Sequence, residues 1–427
     1  MKIMNNNMNG KLAFLLPFLP LSDSETWDKL DPKLYHGVHI YWLKIYGLWY
    51  YSFSPKTFKF WLQLAYTAIV LWLVCFLPGI GEIVYLLKRR DNIGDVAGGL
   101  YLFLSEMYTY FKLAVFWLNK QKITRLLQYL YCDEFKPKEL EHKDIILKSI
   151  KRARFVMSAY STMCVCAVSV GIVMPLTENF DVLPTNVEYD QFDVYKSPAY
   201  GILYSHHIYY KPATCIIDGV MDTILAAFVA SAIGQIEILS FNLRNFDKLA
   251  YRLRTRAIIA KENLYPDQYY IQVTMKECIK HHNSIIRYVS MIEEAFSLAS
   301  ALQFMLSVMV LCLVGIQFLS IEDPRSHLMQ IVWMAIYLWC MLVEVFILCW
   351  FGDELIWKSQ SVRQAAFEGP WLNVDVKTAK YIIIFLERSK RPLRVTAGKI
   401  FTLSLDTYTI LINWAYKAFA VMSNMKK

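Results

Sequence analysis

Apolar residues occur in seven long runs along this chain of 427 residues, separated by polar segments. Each run can span a bilayer at about 1.5 Å per helical residue. Lipid offers the backbone no hydrogen-bond partners, so the pattern predicts an all-α, polytopic membrane protein with seven transmembrane helices. Pro78 and Gly79 predict a kink or a helix end within the first of them. The predicted spans are residues 58–87, 93–118, 155–176, about 215–243, a part of 285–321, 328–351 and 401–422.

The seventh run differs from the others because polar residues recur along one side of it. Steps of three and four residues place these positions on one helical face. Ionisable groups inside a membrane usually face protein or a water-filled path. The alternative is that the two charged residues lie near the membrane surfaces and extend toward water, while the asparagine bonds to another helix. The positions are Asp406, Ile410, Asn413, Lys417, Val421 and Asn424.

Charged residues between the runs predict the orientation of the chain. Basic residues are concentrated after the second, fourth and sixth runs, whereas the segment 178–210 is mainly acidic. By the positive-inside rule this alternation predicts an intracellular N-terminus and an extracellular C-terminus. That orientation is the opposite of a G-protein-coupled receptor. The basic run Lys88, Arg89 and Arg90, after the first span, is an exception to the alternation.

Composition agrees with a membrane location. Hydrophobic residues make up 56% of the chain and aromatic residues 15%, and the mean hydropathy is +0.31, values typical of polytopic membrane proteins. The formal charge of +9 is spread over several segments, so no nucleic-acid partner is predicted. Nine cysteines without paired spacing predict reduced core thiols.

The chain lacks the motifs of common enzymes, so we predict no enzyme activity, no catalytic residues and no cofactor. Two histidine pairs, His206-His207 and His281-His282, are the nearest approach to a metal-binding motif. Adjacent residues point to different sides of a helix, so we predict no metal site and expect solvated loop histidines.

Four carboxylates interrupt the apolar runs: Asp218, Asp222 and Glu237 in the fourth and Glu344 in the sixth. Buried charges need partners or water. One interpretation pairs Glu344 with a basic residue on the cytoplasmic side, and the other places all four at the membrane surfaces.

Two stretches near the C-terminus, covering roughly the last quarter of the chain, resemble the signature of the insect odorant receptor family. The order and spacing of their residues make the resemblance specific. The first stretch has Gly352-Asp353-Glu354-Leu355 followed by Ser359, Val362, Ala365 and Trp371. The second has Arg391-Pro392-Leu393, Thr396-Ala397-Gly398, Phe401 and Ser404-Leu405-Asp406-Thr407-Tyr408.

The resemblance implies an odorant-binding subunit of a heteromeric, ligand-gated, non-selective cation channel, opened by a small volatile ligand. It implies assembly with a co-receptor subunit into a hetero-oligomer, a tetramer, and a location in the plasma membrane of a sensory neuron dendrite. Only about forty residues lie between the fourth and fifth spans. This short connection resembles that of the family's odour-tuning subunits and not the longer one of the co-receptor. The implied parts are a cytoplasmic segment 1–57 with a membrane-surface portion, spans and ligand pocket 58–351, a cytoplasmic assembly region 352–400, and a pore helix with a short tail 401–427.

The resemblance also implies roles for specific residues, according to the region of the family's fold in which each lies. The polar face of the last span would line the pore, with a hydrophobic gate near Val421, and Trp371, Ile383 and Leu386 would contact other subunits. The ligand would lie among the outer halves of several spans, although the same aromatic residues could instead pack helices together. The implied ligand-binding residues are Tyr101, Leu104, Val168, Ser169, Tyr209, Ile216, Trp333 and Tyr337.

Two other functions stay open at this point. Thr407-Tyr408 and Asn413-Trp414 suggest a gustatory-type receptor channel, although their spacing differs from that family. A membrane transporter with a polar site at the midplane is the second, and the lack of an internal repeat in the sequence weighs against it.

Overall fold

The computed structural model describes residues 35–49, 57–91, 93–177, 183–189, 193–261, 263–321, 328–371 and 374–425. Helices account for most of these residues, and the strands are two short ones. The α-helices are α1 Gly37–Ile45, α2 Phe58–Leu71, α3 Leu77–Lys88, α4 Ile93–Leu118, α5 Lys120–Tyr129, α6 Leu140–Thr177, α7 Ala199–Arg244, α8 Phe246–Ile259, α9 Asp267–Ser320, α10 Leu328–Glu368, α11 Val376–Arg388 and α12 Leu405–Met425. A π-helix at Trp72–Phe76 joins α2 to α3, a 3-10 helix lies at Asp133–Phe135, and β1 Thr396–Ala397 pairs antiparallel with β2 Phe401–Thr402.

The predicted spans coincide with helices. Five helices among the described residues are long and apolar enough to cross a membrane: Phe58–Lys88, Leu140–Leu176, Ala199–Arg244, Asp267–Phe318 and Leu328–Glu368. The other two predicted spans are α4 and α12, with 26 and 21 residues. At about 1.5 Å per residue both have the length to span the hydrocarbon layer.

Several helices continue well beyond their apolar runs, which hydropathy alone does not predict. Helix α6 begins at Leu140, whereas its apolar run begins at Phe155. Helix α9 has 54 residues and α10 has 41. The extensions at these ends pack together with α5, α8 and α11 on the side of the basic segments.

The first span passes through Pro78 without ending. Proline lacks an amide N–H and its ring crowds the carbonyl one turn earlier. The wider π-helix at Trp72–Phe76 comes immediately before it. A π-helical turn accommodates an extra residue that does not fit the hydrogen-bond pattern of a regular α-helix.

Helix α7 is the centre of the bundle. Every residue from 219 to 236 is buried, on all sides of the helix, and α6 and α10 pack along it. A helix that is apolar all round belongs in a protein interior. The N-terminal helix α1, predicted to lie along the membrane surface, also packs on α7, with Val38, His39 and Leu43 buried.

Two segments predicted to lie on the same side of the membrane meet in the structure. Lys88 and Arg89 form ion pairs with Glu188, at 3.5 and 3.3 Å. The Glu188 amide also donates to the Gly81 carbonyl at 3.0 Å. Glu188 of the acidic segment therefore pairs with two of the three residues of the exceptional basic run.

The expectation of solvated loop histidines is wrong, because all four residues lie in the extended helices α7 and α9. His207, His281 and His282 are buried. The ring of His207 bonds to the Thr185 hydroxyl at 2.7 Å, and His281 bonds to Gln235 at 2.9 Å. These rings serve packing and hydrogen bonding in the described core.

The last helix begins at Leu405 and not at Phe401, which corrects the predicted boundary. Phe401 lies in the β1–β2 hairpin, whose turn contains Gly398 at φ +62°, a conformation that glycine adopts without strain. Ser404 then caps the helix by accepting a hydrogen bond from the Thr407 amide at 3.3 Å.

The hairpin and the start of α12 are bonded to α9 and α10. The Gly398 amide donates to the Ser297 carbonyl at 2.9 Å. The Leu393 amide donates to the Ser359 hydroxyl at 2.9 Å, and the Leu405 amide donates to Asp353 at 3.4 Å. We call this set of contacts the α12 base.

Gly352 permits this close approach, and its replacement tests the packing. A Cβ atom at Gly352 would lie 2.3 Å from the Leu403 carbonyl oxygen. We expect Gly352→Ala to lower the free energy of unfolding by about 1–3 kcal/mol, as overpacking does. Gly201→Ala is the control, since a Cβ there has nothing within 4 Å. Thermal unfolding in detergent measures both, and equal melting temperatures would contradict the expectation.

Candidate functional site

A cavity of about 150 Å³ lies between α4, α6, α7 and α10. This is about the volume that admits one benzene ring in a protein interior. One part of its wall is apolar and the other is polar. The apolar part includes Leu102, Ala167, Val168, Ile172, Trp333, Tyr337 and Met341, and the polar part includes Glu106, Thr109, Lys211, Thr214, Asp218 and Glu344.

Aromatic rings form the apolar wall. The rings of Trp333 and Tyr337 are stacked with centroids 5.8 Å apart, and the Tyr101 ring contacts both, with its centroid 5.3 Å from that of Tyr337 and 6.3 Å from that of Trp333. A Cβ at Gly171 would lie 2.8 Å from the Trp333 Nε1 atom. Glycine at that position therefore lets the indole approach α6 and close this end of the cavity.

The predicted ligand-binding residues divide into three groups. Val168, Trp333 and Tyr337 line the cavity, and Tyr101 and Leu104 pack in the apolar cluster behind it.

The other three predicted residues lie elsewhere in the described part of the chain. Ser169 is exposed, and its hydroxyl donates to the Val165 carbonyl at 2.8 Å. Tyr209 is 47% exposed, and Ile216 packs against the main core.

A buried ion cluster lies at the polar end of the cavity, and it contains a residue that the sequence analysis missed. The Lys112 ammonium lies 2.6 Å from both Asp218 and Asp222 and 3.2 Å from Glu344. Gln303 donates to Glu344 at 2.7 Å and to Asp222 at 3.2 Å. The cluster connects α4, α7, α9 and α10.

This arrangement corrects both interpretations of the carboxylates. Glu344 pairs with Lys112 of α4 and not with a cytoplasmic base, and both Asp222 and Glu344 are buried in the bundle. A signal for the cluster existed, because Asp218 and Asp222 are four residues apart and share a helical face. Glu237 is separate from it and pairs with Lys358 at 2.5 Å.

The cluster has more acid than base. Oxygens of Asp218, Asp222 and Glu344 lie within 4.8 Å of one another, around one ammonium. A metal ion there would have to displace Lys112, whose ammonium already occupies the position of a cation. A second pair, Lys211 with Glu106, lies beside the cavity.

The predicted pore face of α12 is exposed on this chain. Asp406, Asn413 and Lys417 are exposed, as are Ile410 and Val421. The opposite face, with Leu411 and Ala415, is buried. Asn424 lies in the helix, but its side chain is outside the described residues.

The predicted assembly residues differ in exposure. Ile383 is 66% exposed, and Trp371 is 38% exposed. Leu386 is half-buried against the chain's own core. Ile384 and Ile400 add exposed apolar surface in the same region.

Removing the charge of Lys112 would leave three carboxylates in the bundle without their ammonium. We expect Lys112→Met to lower the free energy of unfolding by about 3–5 kcal/mol, as for other broken buried pairs. Thermal unfolding in detergent and surface delivery measure the loss. Lys122→Met is the control, because the Lys122–Glu294 pair is exposed and contributes little. Adding Asp222→Asn and Glu344→Gln should restore stability, and equal stability of the two lysine variants would contradict the expectation.

Comparisons with known proteins show which family shares this sequence and architecture. The family described as 7tm Odorant receptor matches residues 92–416, well over half of the chain. Odorant receptor Or1 of Anopheles gambiae is 21% identical and covers 94% of this chain and 97% of its own length. Odorant receptor 46a, isoform A, of Drosophila melanogaster is 22% identical over 84% of this chain and 89% of its own length.

A solved structure has the same fold. The insect olfactory receptor OR5 of Machilis hrabei, solved in complex with eugenol, superposes with a TM-score of 0.75 at 15% identity, over 92% of this chain and all of the other. The helices, the cavity between them and the match over residues 92–416 together lead to one conclusion: this chain belongs to the 7tm odorant receptor family, with its all-α fold of seven transmembrane helices.

Proposed function

We propose that this chain is the odorant-binding subunit of a heteromeric, ligand-gated, non-selective cation channel in the plasma membrane. The observation that carries the proposal is an aromatic cavity of about 150 Å³ between membrane-spanning helices of an odorant receptor. A small volatile molecule matches its size and its mainly apolar wall. The eugenol complex of the Machilis hrabei receptor supports a small organic ligand.

The polar face of α12 supports a role in conduction. Asp406, Asn413 and Lys417 are exposed on a helix that crosses the membrane. Polar groups in that position need protein or water beside them, which a pore between subunits supplies. With the N-terminus intracellular, the α12 base lies on the cytoplasmic side and the Val421 end lies outside.

Exposed apolar residues outside the membrane support assembly with other subunits. Ile383, Ile384 and Ile400 are each at least 66% exposed in a region that contains α11 and the hairpin. An apolar patch of this kind is typical of a protein interface. The proposed partner is the odorant co-receptor, with this chain as the tuning subunit in a sensory neuron.

Co-expression tests the proposal. Cells with this chain and the co-receptor should show an inward current when an odorant panel is applied. Cells with either chain alone should lack that odour response, because the subunit supplies the ligand site and the partner completes the pore. A current that needs no co-receptor would contradict the heteromeric assembly, and substrate uptake without conductance would contradict the channel and favour the transporter alternative.

Variants of the last helix test its place beside the ion path. A lysine beside the path of cations raises the energy barrier to their passage, so Lys417→Glu should increase the relative permeability to divalent cations. Val421→Ala should raise the current without odour if this side chain helps to exclude water from the closed pore.

Tyr416→Phe is the matched control, because Tyr416 is exposed on an adjacent part of the helix. Unchanged selectivity and basal current in both test variants, with normal surface delivery, would show that this face contacts protein outside the conducting path.

A further inference from the structure

One hydroxyl group at the polar end of the cavity has no hydrogen-bond partner among the residues that the structure describes. Thr214 is 7% exposed, its Oγ1 atom is unpaired, and the residue lines the cavity. Helical threonines commonly donate to the carbonyl four residues earlier. Thr162 and Thr223 do so at 2.9 and 2.6 Å. Thr214 does not, so its hydroxyl is available to a molecule in the cavity.

Asp218 lies one helical turn after Thr214, on the same face of α7. Its Oδ1 atom accepts from Thr109 at 3.0 Å and contacts Lys112 at 2.6 Å. The Asp218 side chain is 25% exposed, whereas those of Asp222 and Glu344 are 4% and 2% exposed. Since Asp218 also lines the cavity, it is the carboxylate of the cluster that a ligand reaches most readily.

The two groups together discriminate between ligand head groups. An ionised carboxylate only accepts hydrogen bonds, whereas a hydroxyl donates and accepts. A ligand hydroxyl can accept from Thr214 and donate to Asp218 at once. An ether oxygen can accept from Thr214 but leaves Asp218 facing a group that cannot donate. The excess of acid around Lys112 makes a further donor favourable here.

We propose that the cavity selects ligands with a hydrogen-bond donor, a hydroxyl or an ammonium group, on a small apolar body, that Asp218 determines this specificity, and that Thr214 supplies a second hydrogen bond to the same ligand group. The inference rests on the proposed function and adds the ligand class. The apolar body lies against Val168, Trp333 and Met341, and the donor points toward α7.

Isomeric ligands test the inference in cells with this chain and the co-receptor. The probes are alcohols or phenols paired with ethers of the same molecular formula, such as benzyl alcohol with anisole. Amines of matched size, such as benzylamine, form a third set that separates a hydroxyl from an ammonium ligand. We expect the donor of each active pair to need roughly tenfold less ligand for half-maximal current, because a site built for a donor rejects analogues that lack one.

Variants separate the roles of the two residues. Asp218→Asn removes the charge and adds an amide that can donate to an ether, so it should reduce the preference severalfold. Thr214→Val keeps the shape and removes a hydroxyl that bonds to alcohol and ether alike, so it should lower the potency of both by a similar factor, whereas Thr214→Ser should keep their potency. Thr162→Val, outside the cavity on α6, is the control for an unrelated threonine. The current evoked by a co-receptor agonist reports assembly in every variant, so a folding defect is recognised directly.

Three results would overturn the inference: ethers as potent as their alcohol isomers, silence of every donor-bearing compound, or an unchanged preference in Asp218→Asn. Each of these results is distinct from failure of the proposed function. If the proposed function fails, no odorant of any class evokes a current that depends on this chain, although the co-receptor agonist still evokes a current.

Discussion

The Lys112 ammonium is buried in the interior of a membrane protein, and taking this charge out of water costs free energy. Its cost is offset by carboxylates at 2.6 to 3.2 Å, held on α7 and α10, and by Gln303 of α9, which bonds to two of them. Four helices must therefore keep their relative positions for the charge to stay paired. Two of these carboxylates, Asp218 and Glu344, also line the cavity. The pairing of Lys112 and the shape of the candidate ligand site thus depend on shared side chains.

Hydropathy predicted the spans because lipid requires every backbone N–H and C=O group to be hydrogen-bonded within the protein, which long apolar helices achieve. It did not predict where the helices end, since α6 and α9 continue into water as helices with mixed polarity. Nor could it predict the partners of Lys112. Asp222 and Glu344 lie 110 and 232 residues away along the chain, so their pairing depends on how the whole bundle packs.

Neighbouring residues in the candidate site show a second limit of sequence reasoning. Val168 lines the cavity, whereas Ser169 is exposed. Successive residues differ by about 100° around a helix. A run that is apolar on all sides does not reveal which direction faces the interior. Trp333 and Tyr337 were easier to predict together, because a spacing of four residues keeps both on one face whatever the rotation.

The α12 base has a mechanical consequence. Its bonds from Gly398, Leu393 and Leu405 to α9 and α10 hold one end of the last helix in place. Sliding along the helix axis would break them together, whereas a small tilt changes each only slightly. A helix of 21 residues is about 31 Å long, so a tilt of about 10° at the base moves the other end by about 5 Å. A displacement of α9 relative to α10 that tilts α12 about the α12 base would therefore move Val421 further than it moves the base itself.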